Sequence, residues 1–259
     1  MARVLIAIPN DDFDPTETAV PWKYLRGAHH EVVFATGDGL PGECDFRLIT
    51  GKGFGPFKPF LMANQDGRAA YAAMAQSPEF RNPIDWKTAL KQDFDAMLLP
   101  GGHAWGVRAY LESVDLQQKV SEMFAANRPV AAICHGVLLA ARALGPDAES
   151  VLHQRRTTAL PKSMELSAWM LTGIWLGDYY RTYDQTVQDE VSDVLAHVGQ
   201  FDPGPRSLKR DSAANLAPGF TVRDGNWLSA RWPGDAHRFA SEFVSMLPEA
   251  KPPGIRPAA

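Results

Sequence analysis

The most constraining feature of this chain is a set of short apolar runs that do not alternate with polar residues. Val4-Leu5-Ile6-Ala7-Ile8, Ala96-Met97-Leu98-Leu99 and Val130-Ala131-Ala132-Ile133 are apolar at every position. A strand wetted on one face alternates; a strand with both faces covered does not. Stretches of helical spacing separate these runs, as in 116–127, where Val120, Met123 and Phe124 share a face. Buried strands alternating with helices predict an α/β fold, a mostly parallel sheet sandwiched by helices. The expected strands are 4–8, 31–35, 95–100 and 129–133, with a hairpin over 220–229 around Asp224-Gly225-Asn226. The expected helices are 18–27, 116–127, 136–144 and 236–247.

Two stretches interrupt the rhythm, at about 40–86 and 164–205. The first is rich in Gly, Pro and aromatic residues; the second carries Trp169, Trp175, Tyr179, Tyr180 and Tyr183. Neither shows a strand set of its own, so both are read as insertions in a single domain spanning 1–248, placed to wall a site at the carboxyl edge of the sheet. Most of those aromatic residues are expected to pack the inserted helices. Residues 249–259 read as a loose Pro-rich tail. With 259 residues and 45% apolar content, the chain can fill one substantial core.

A net charge of −4 and a pI near 6.0 give no footprint for nucleic acid. No apolar run approaches the roughly 20 residues of a membrane span, and the N-terminal run reads as a strand, not a signal peptide. Two cysteines, Cys44 and Cys134, make no disulfide framework, so a reducing cytoplasm is the default location. The histidines show no metal-ligand spacing, and no phosphate-binding glycine loop occurs. No metal and no cofactor is expected.

Chemistry concentrates at Cys134-His135-Gly136, placed between a buried strand and a helix. Such a turn lifts a nucleophile clear of the sheet, and the positive end of the helix dipole is expected to lower the thiol pKa. A buried structural cysteine with a capping histidine is the bland alternative. Gly101-Gly102-His103 follows another buried strand and could offer N–H groups to an oxyanion, or be an ordinary turn. Glu17 could exchange a proton with Cys134, or merely complement a helix dipole. Cys44, at the start of the first insertion, reads as structural or as part of a pocket rim.

Taken together, Glu17-Thr18-Ala19-Val20-Pro21, the strand ending in Gly101-Gly102, Ala131-Ala132-Ile133-Cys134-His135-Gly136 and Asp224-Gly225-Asn226-Trp227 resemble the ThiJ/PfpI superfamily. That family has the flavodoxin-like, class I glutamine amidotransferase-like fold. The resemblance implies Cys134 as nucleophile, Glu17 as the acid on its sulfur, and Gly102 with the His135 backbone as the oxyanion site, flanked by Gly101 and His103. The insertions look like those of the heat-shock chaperone and glutathione-independent glyoxalase branch, where an acid orients the histidine; Glu165 is the candidate here. His103-Ala104-Trp105-Gly106 lacks the acid of protease-like members, Ala159-Leu160 stand where redox-protective members have a histidine, and His237-Arg238-Phe239 lacks the amidotransferase His-x-Glu pair.

The resulting expectation is a small-molecule substrate: glyoxalase chemistry on a methylglyoxal-type 2-oxoaldehyde. Cys134 adds to the aldehyde and Glu17 or His135 moves the proton through an enediol. A cysteine hydrolase or hydratase acting on an amide, ester or nitrile-like carbon is the alternative among enzymes. A holdase chaperone or an oxidative sensor using Cys134 is the alternative outside them. Pairing as a homodimer is compatible with the resemblance.

Overall fold

The computed structural model describes residues 1–249, so the tail expected at 249–259 lies, apart from Glu249, outside the described residues. The strands are β1 (Arg3–Ala7), β2 (Glu31–Thr36), β3 (Ile84–Asp85), β4 (Ala96–Leu99), β5 (Val130–Ile133), β6 (Thr221–Asp224) and β7 (Trp227–Ala230). They form one sheet in the order β3-β2-β1-β4-β5-β7-β6. Every neighbouring pair is parallel except β6 and β7. β4 and β5 are buried at every residue, which is why their sequences carry no alternation. This is the mostly parallel, helix-covered α/β architecture expected.

Among the described residues, the α-helices of six or more residues are α1 (Pro15–Gly27), α2 (Gln65–Met74), α3 (Val114–Ala125), α4 (Val137–Arg142), α5 (Lys162–Leu176), α6 (Val187–Asp193) and α7 (Ala236–Ser245). α1 packs with α2 and α7; α3 packs with α4 and against β4 and β5, and α4 meets α6. Those two groups are the covering layers. The chain leaves β1 for β2 and β3 on one side, then crosses back to β4 on the other. The order therefore reverses between β1 and β4, the place where open α/β sheets hold their ligands.

Three details depart from the expectation. α1 starts at Pro15, three residues early, because Asp14 caps it by accepting from the Thr16 and Glu17 N–H groups and Pro15 fits the first helical position. The first insertion contributes β3 to the sheet edge and packs α2 on α1, so it covers the sheet as well as walling a site. The turn after β5 is a 3-10 turn over Cys134–Gly136, and α4 begins only at Val137. A small apolar cluster of Phe54, Ala104 and Tyr180 ties the first insertion, the turn after β4 and the second insertion together.

Candidate active site

Ile133 ends β5 in extended backbone, and Cys134 follows with φ +58°. For a residue with a β-carbon that left-handed conformation costs about 1–2 kcal/mol, and it turns the side chain out of the strand line. The turn can close only because residue 136 is glycine. A β-carbon there would run into the Leu99 carbonyl oxygen and lie 2.6 Å from that of Pro100. Strand β4 thus presses its end against the cysteine turn. Cys134 is 5% exposed, its Sγ lies 3.5 Å from His135 Nδ1, and the His135 backbone N–H also points to the sulfur.

Glu17 stands in the first turn of α1 and is fully buried. Its Oε2 accepts from the Gly101 N–H at 3.0 Å, while Oε1 has no partner of strict hydrogen-bond geometry. The Cys134 thiol is the side chain that interacts with this carboxyl. Gly101 is needed for the approach, since a β-carbon there would lie 2.8 Å from both Glu17 Oε2 and the His135 nitrogen. Burial, reinforced by the neighbouring Asp14 carboxyl, holds the Glu17 pKa well above the usual range. Burial thus shifts Glu17 toward its protonated form.

Burial also pushes the Cys134 thiol up, and the Glu17 and Asp14 carboxyls add to it wherever they carry charge. The lowering expected from a helix dipole is overturned. The sulfur faces a three-residue 3-10 turn before a six-residue helix, and burial among acids outweighs so short a dipole. Cys134 is therefore a thiol at neutral pH, beside a carboxyl that burial shifts the same way.

His135 is fully buried, and burial drives its pKa well below the usual value, with His103 and Arg142 adding to the effect. His103 lies beside it, ring centroids 4.9 Å apart, and burial with the nearby Arg181 lowers it to about 4. Both imidazoles are neutral, and each has a buried Nε2 without a partner among the described residues. Glu165 sits in the first turn of α5 at 2% exposure, held by the Val187 N–H at 2.8 Å, with Arg181 Nη1 3.8 Å from its other oxygen. Burial raises Glu165 to about 7.

One donor atom each from His103, His135 and Glu165 lie within 4.8 Å of one another, a convergence that no local spacing in the sequence announces. The donor types suit a transition metal, but the Arg181 guanidinium already places a positive charge against Glu165. The set fits a chain of proton acceptors better. Glu165 is near His135 without a direct hydrogen bond to it.

The Gly101 N–H is committed to Glu17 and is not free for an oxyanion. Gly102 and His103 line the cavity beside Cys134, and Cys44 lies in the core and does not. The cavity measures about 1070 Å³, with Glu17, Cys134, Gly102 and His103 on its floor. Sequence reasoning missed Asp14, Arg210 and Trp232, which also line it. The Asp-Pro helix start could have flagged Asp14 as a cap; nothing local flags the other two. Of the five Trp and Tyr residues singled out in the second insertion, Tyr180 alone is buried, while Tyr183 packs half-buried on the core; the Tyr180 hydroxyl donates to Asp45.

The profile of the ThiJ/PfpI family-like group matches residues 8–201. A deglycase of Pyrococcus abyssi is 28% identical over 248 residues, covering 95% of this chain and 99% of that protein. A glutathione-independent glyoxalase of Schizosaccharomyces pombe is 26% identical over 155 residues, covering 58% and 59%. Among solved structures, the Rapid Encystment Protein 24 kDa of Francisella tularensis superimposes with a TM-score of 0.70 at 16% identity, covering 95% of this chain and 99% of that one. The matched span holds Glu17, the Gly-Gly turn, the cysteine turn and Glu165 alike, and by that match the chain belongs to the ThiJ/PfpI family.

Proposed function

We propose that this protein is a cysteine-dependent enzyme that converts 2-oxoaldehydes to 2-hydroxy acids without glutathione. The observation that carries the reading is the Cys134 thiol, 3.5 Å from a neutral His135 Nδ1 and beside a carboxyl that burial shifts toward its protonated form. His135 takes the thiol proton as Sγ bonds to the aldehyde carbon, and the aldehyde oxygen takes the Glu17 proton, giving a hemithioacetal. The Glu17 carboxylate so formed removes the hydrogen from that carbon while the His135 imidazolium gives its proton to the ketone oxygen, leaving an enediol. Glu17 then protonates the neighbouring carbon as the hydroxyl on the sulfur-bearing carbon gives its proton to His135, and water hydrolyses the resulting 2-hydroxyacyl thioester to the acid and the thiol, its extra proton passing to Glu17. Oxidative sensing fits less well, because sensor thiols are exposed and readily ionised, while Cys134 is buried and pushed up.

Deglycation is the second reading, favoured by the full-length likeness to a deglycase. Hydrolysis of an early aldehyde adduct on an amine would pass through the same hemithioacetal. The test is lactate formation from methylglyoxal, and from its adduct with a free amino acid, by wild type and Cys134→Ala. Lactate that vanishes with the thiol supports the reading; lactate at wild-type rates from the variant overturns it.

Glu165 is a positioning residue in this scheme, since its carboxylate favours the imidazolium that His135 becomes. With its pKa at about 7, that carboxylate exists only above the same pH. kcat/KM is expected to climb through pH 7, and Glu165→Gln to flatten the climb while lowering its plateau about tenfold. A pH profile of the variant that keeps the climb would assign it to another group.

A further inference from the structure

The cavity is far larger than the smallest substrate of this chemistry requires. Methylglyoxal has five heavy atoms and occupies ~100 Å³, a few times the share of one water. The cavity, at about 1070 Å³, is at the upper end of those that enclose drug-sized ligands. A three-carbon guest would leave most of that space to water, which weakens every polar interaction at the floor.

The walls say what fills it. Phe54 and Leu61 come from the first insertion, Met164 and Leu171 from α5, and Trp232 from the turn after β7. Between Met164 and Leu171, the lining residues on α5 are the small Ser167 and Ala168, whose short side chains take up little of the cavity on that side. The floor acids Asp14 and Glu17 are both pushed toward their neutral forms by burial. Arg210 donates through Nη2 to the Phe60 and Met62 carbonyl oxygens and lies over the Trp232 ring, while its buried Nη1 has no partner among the described residues. At the mouth, Phe60 is 72% and Leu208 73% exposed. Apolar side chains left in water at the rim of an apolar cavity mark a site for an apolar ligand.

We infer that the substrate is a 2-oxoaldehyde whose adjacent carbonyls reach Cys134 and whose remaining body is a large apolar group, aryl or long-chain alkyl, lying along α5. This rests on the 2-oxoaldehyde reading above. The reaction balance is unchanged: one water is consumed and the 2-hydroxy acid carries the same apolar body.

The experiment compares kcat/KM for methylglyoxal, phenylglyoxal and 2-oxooctanal in wild type, Ala168→Phe and Ser167→Phe, each variant checked for wild-type circular dichroism. The larger substrates are expected to exceed methylglyoxal by about 100-fold or more, given what each added methylene contributes in an apolar pocket. Filling the cavity at Ala168 or Ser167 is expected to cut that ratio roughly tenfold, through KM for the larger substrates. Equal or better turnover of methylglyoxal by wild type overturns the inference and leaves the 2-oxoaldehyde reading standing. A ratio unmoved by both folded variants overturns the placement along α5. No turnover of any of the three aldehydes overturns the reading beneath it.

Discussion

Glu17→Gln is expected to lose about 10³-fold in kcat/KM and yet to be more stable than wild type above pH 7. The catalytic half follows from proton count: the amide has no proton to give the aldehyde oxygen and yields no carboxylate to take one back. The geometry survives, because the Gln carbonyl oxygen can still accept from the Gly101 N–H, as Oε2 does at 3.0 Å. The stability half follows from linkage. In the fold the Glu17 pKa stands well above its ordinary 4.5. Above that ordinary value the unfolded chain gives up its proton while the folded chain keeps one. The contribution of Glu17 to stability is thus complete below about pH 4.5 and declines as pH rises toward the folded value, by about 1.4 kcal/mol per pH unit. Gln has no such decline. Asp14 and Asp235 are also raised, and Asp45 and Asp211 each to about 6, all by burial, so wild type is expected to weaken from mild acid into neutrality. Urea midpoints at pH 5.5 and pH 8 check this. A gap between variant and wild type that fails to widen with pH would show that Glu17 is ionised in the fold.

That balance of charges was the least legible part of the sequence. The sheet was legible because β4 and β5, buried on both faces, carry a pattern that admits few alternatives. β3 was not, since two residues, Ile84 and Asp85, have no period to read. The cysteine turn was legible because a nucleophile between a buried strand and a glycine is a local feature. The state of its thiol was not: the helix dipole can be inferred from neighbours in sequence, whereas burial against Glu17 and Asp14 belongs to the assembled sheet edge. Glu165 was reachable only through family resemblance. Its approach to His135 and His103 depends on how α5 docks, and the same docking brings in Arg181 and Tyr180 from residues with no motif. Gly101, expected to serve an oxyanion, instead gives its N–H to Glu17, a contact that depends on how α1 meets the end of β4.

The hairpin end supplies the other large effect. Arg231 and Asp235 are both fully buried, and Arg231 donates to the two carboxylate oxygens through Nε at 2.9 Å and Nη2 at 2.8 Å. Its Nη1 reaches the Pro205 carbonyl oxygen at 2.7 Å, and Asp235 also accepts the Phe220 N–H at 2.9 Å. Burial still leaves the Asp235 pKa raised in spite of the guanidinium, so desolvation outweighs the attraction at this pair. Such a pair adds little net stability but is costly to halve. Arg231→Met is expected to destabilise by about 3–5 kcal/mol, because it strands a buried carboxyl. Arg231→Met with Asp235→Leu should recover most of that loss, and a urea double-mutant cycle reads the difference. Recovery of stability need not be recovery of function. Pro205 and Pro233 both line the cavity, and the Arg231 bond to Pro205 fixes the 203–208 wall to the end of β7. The double variant is therefore expected to fold like wild type while its KM rises severalfold, with kcat less affected. A double variant as unstable as Arg231→Met alone would mean that the guanidinium holds the wall up by its bond to Pro205, and that the pairing with Asp235 is incidental.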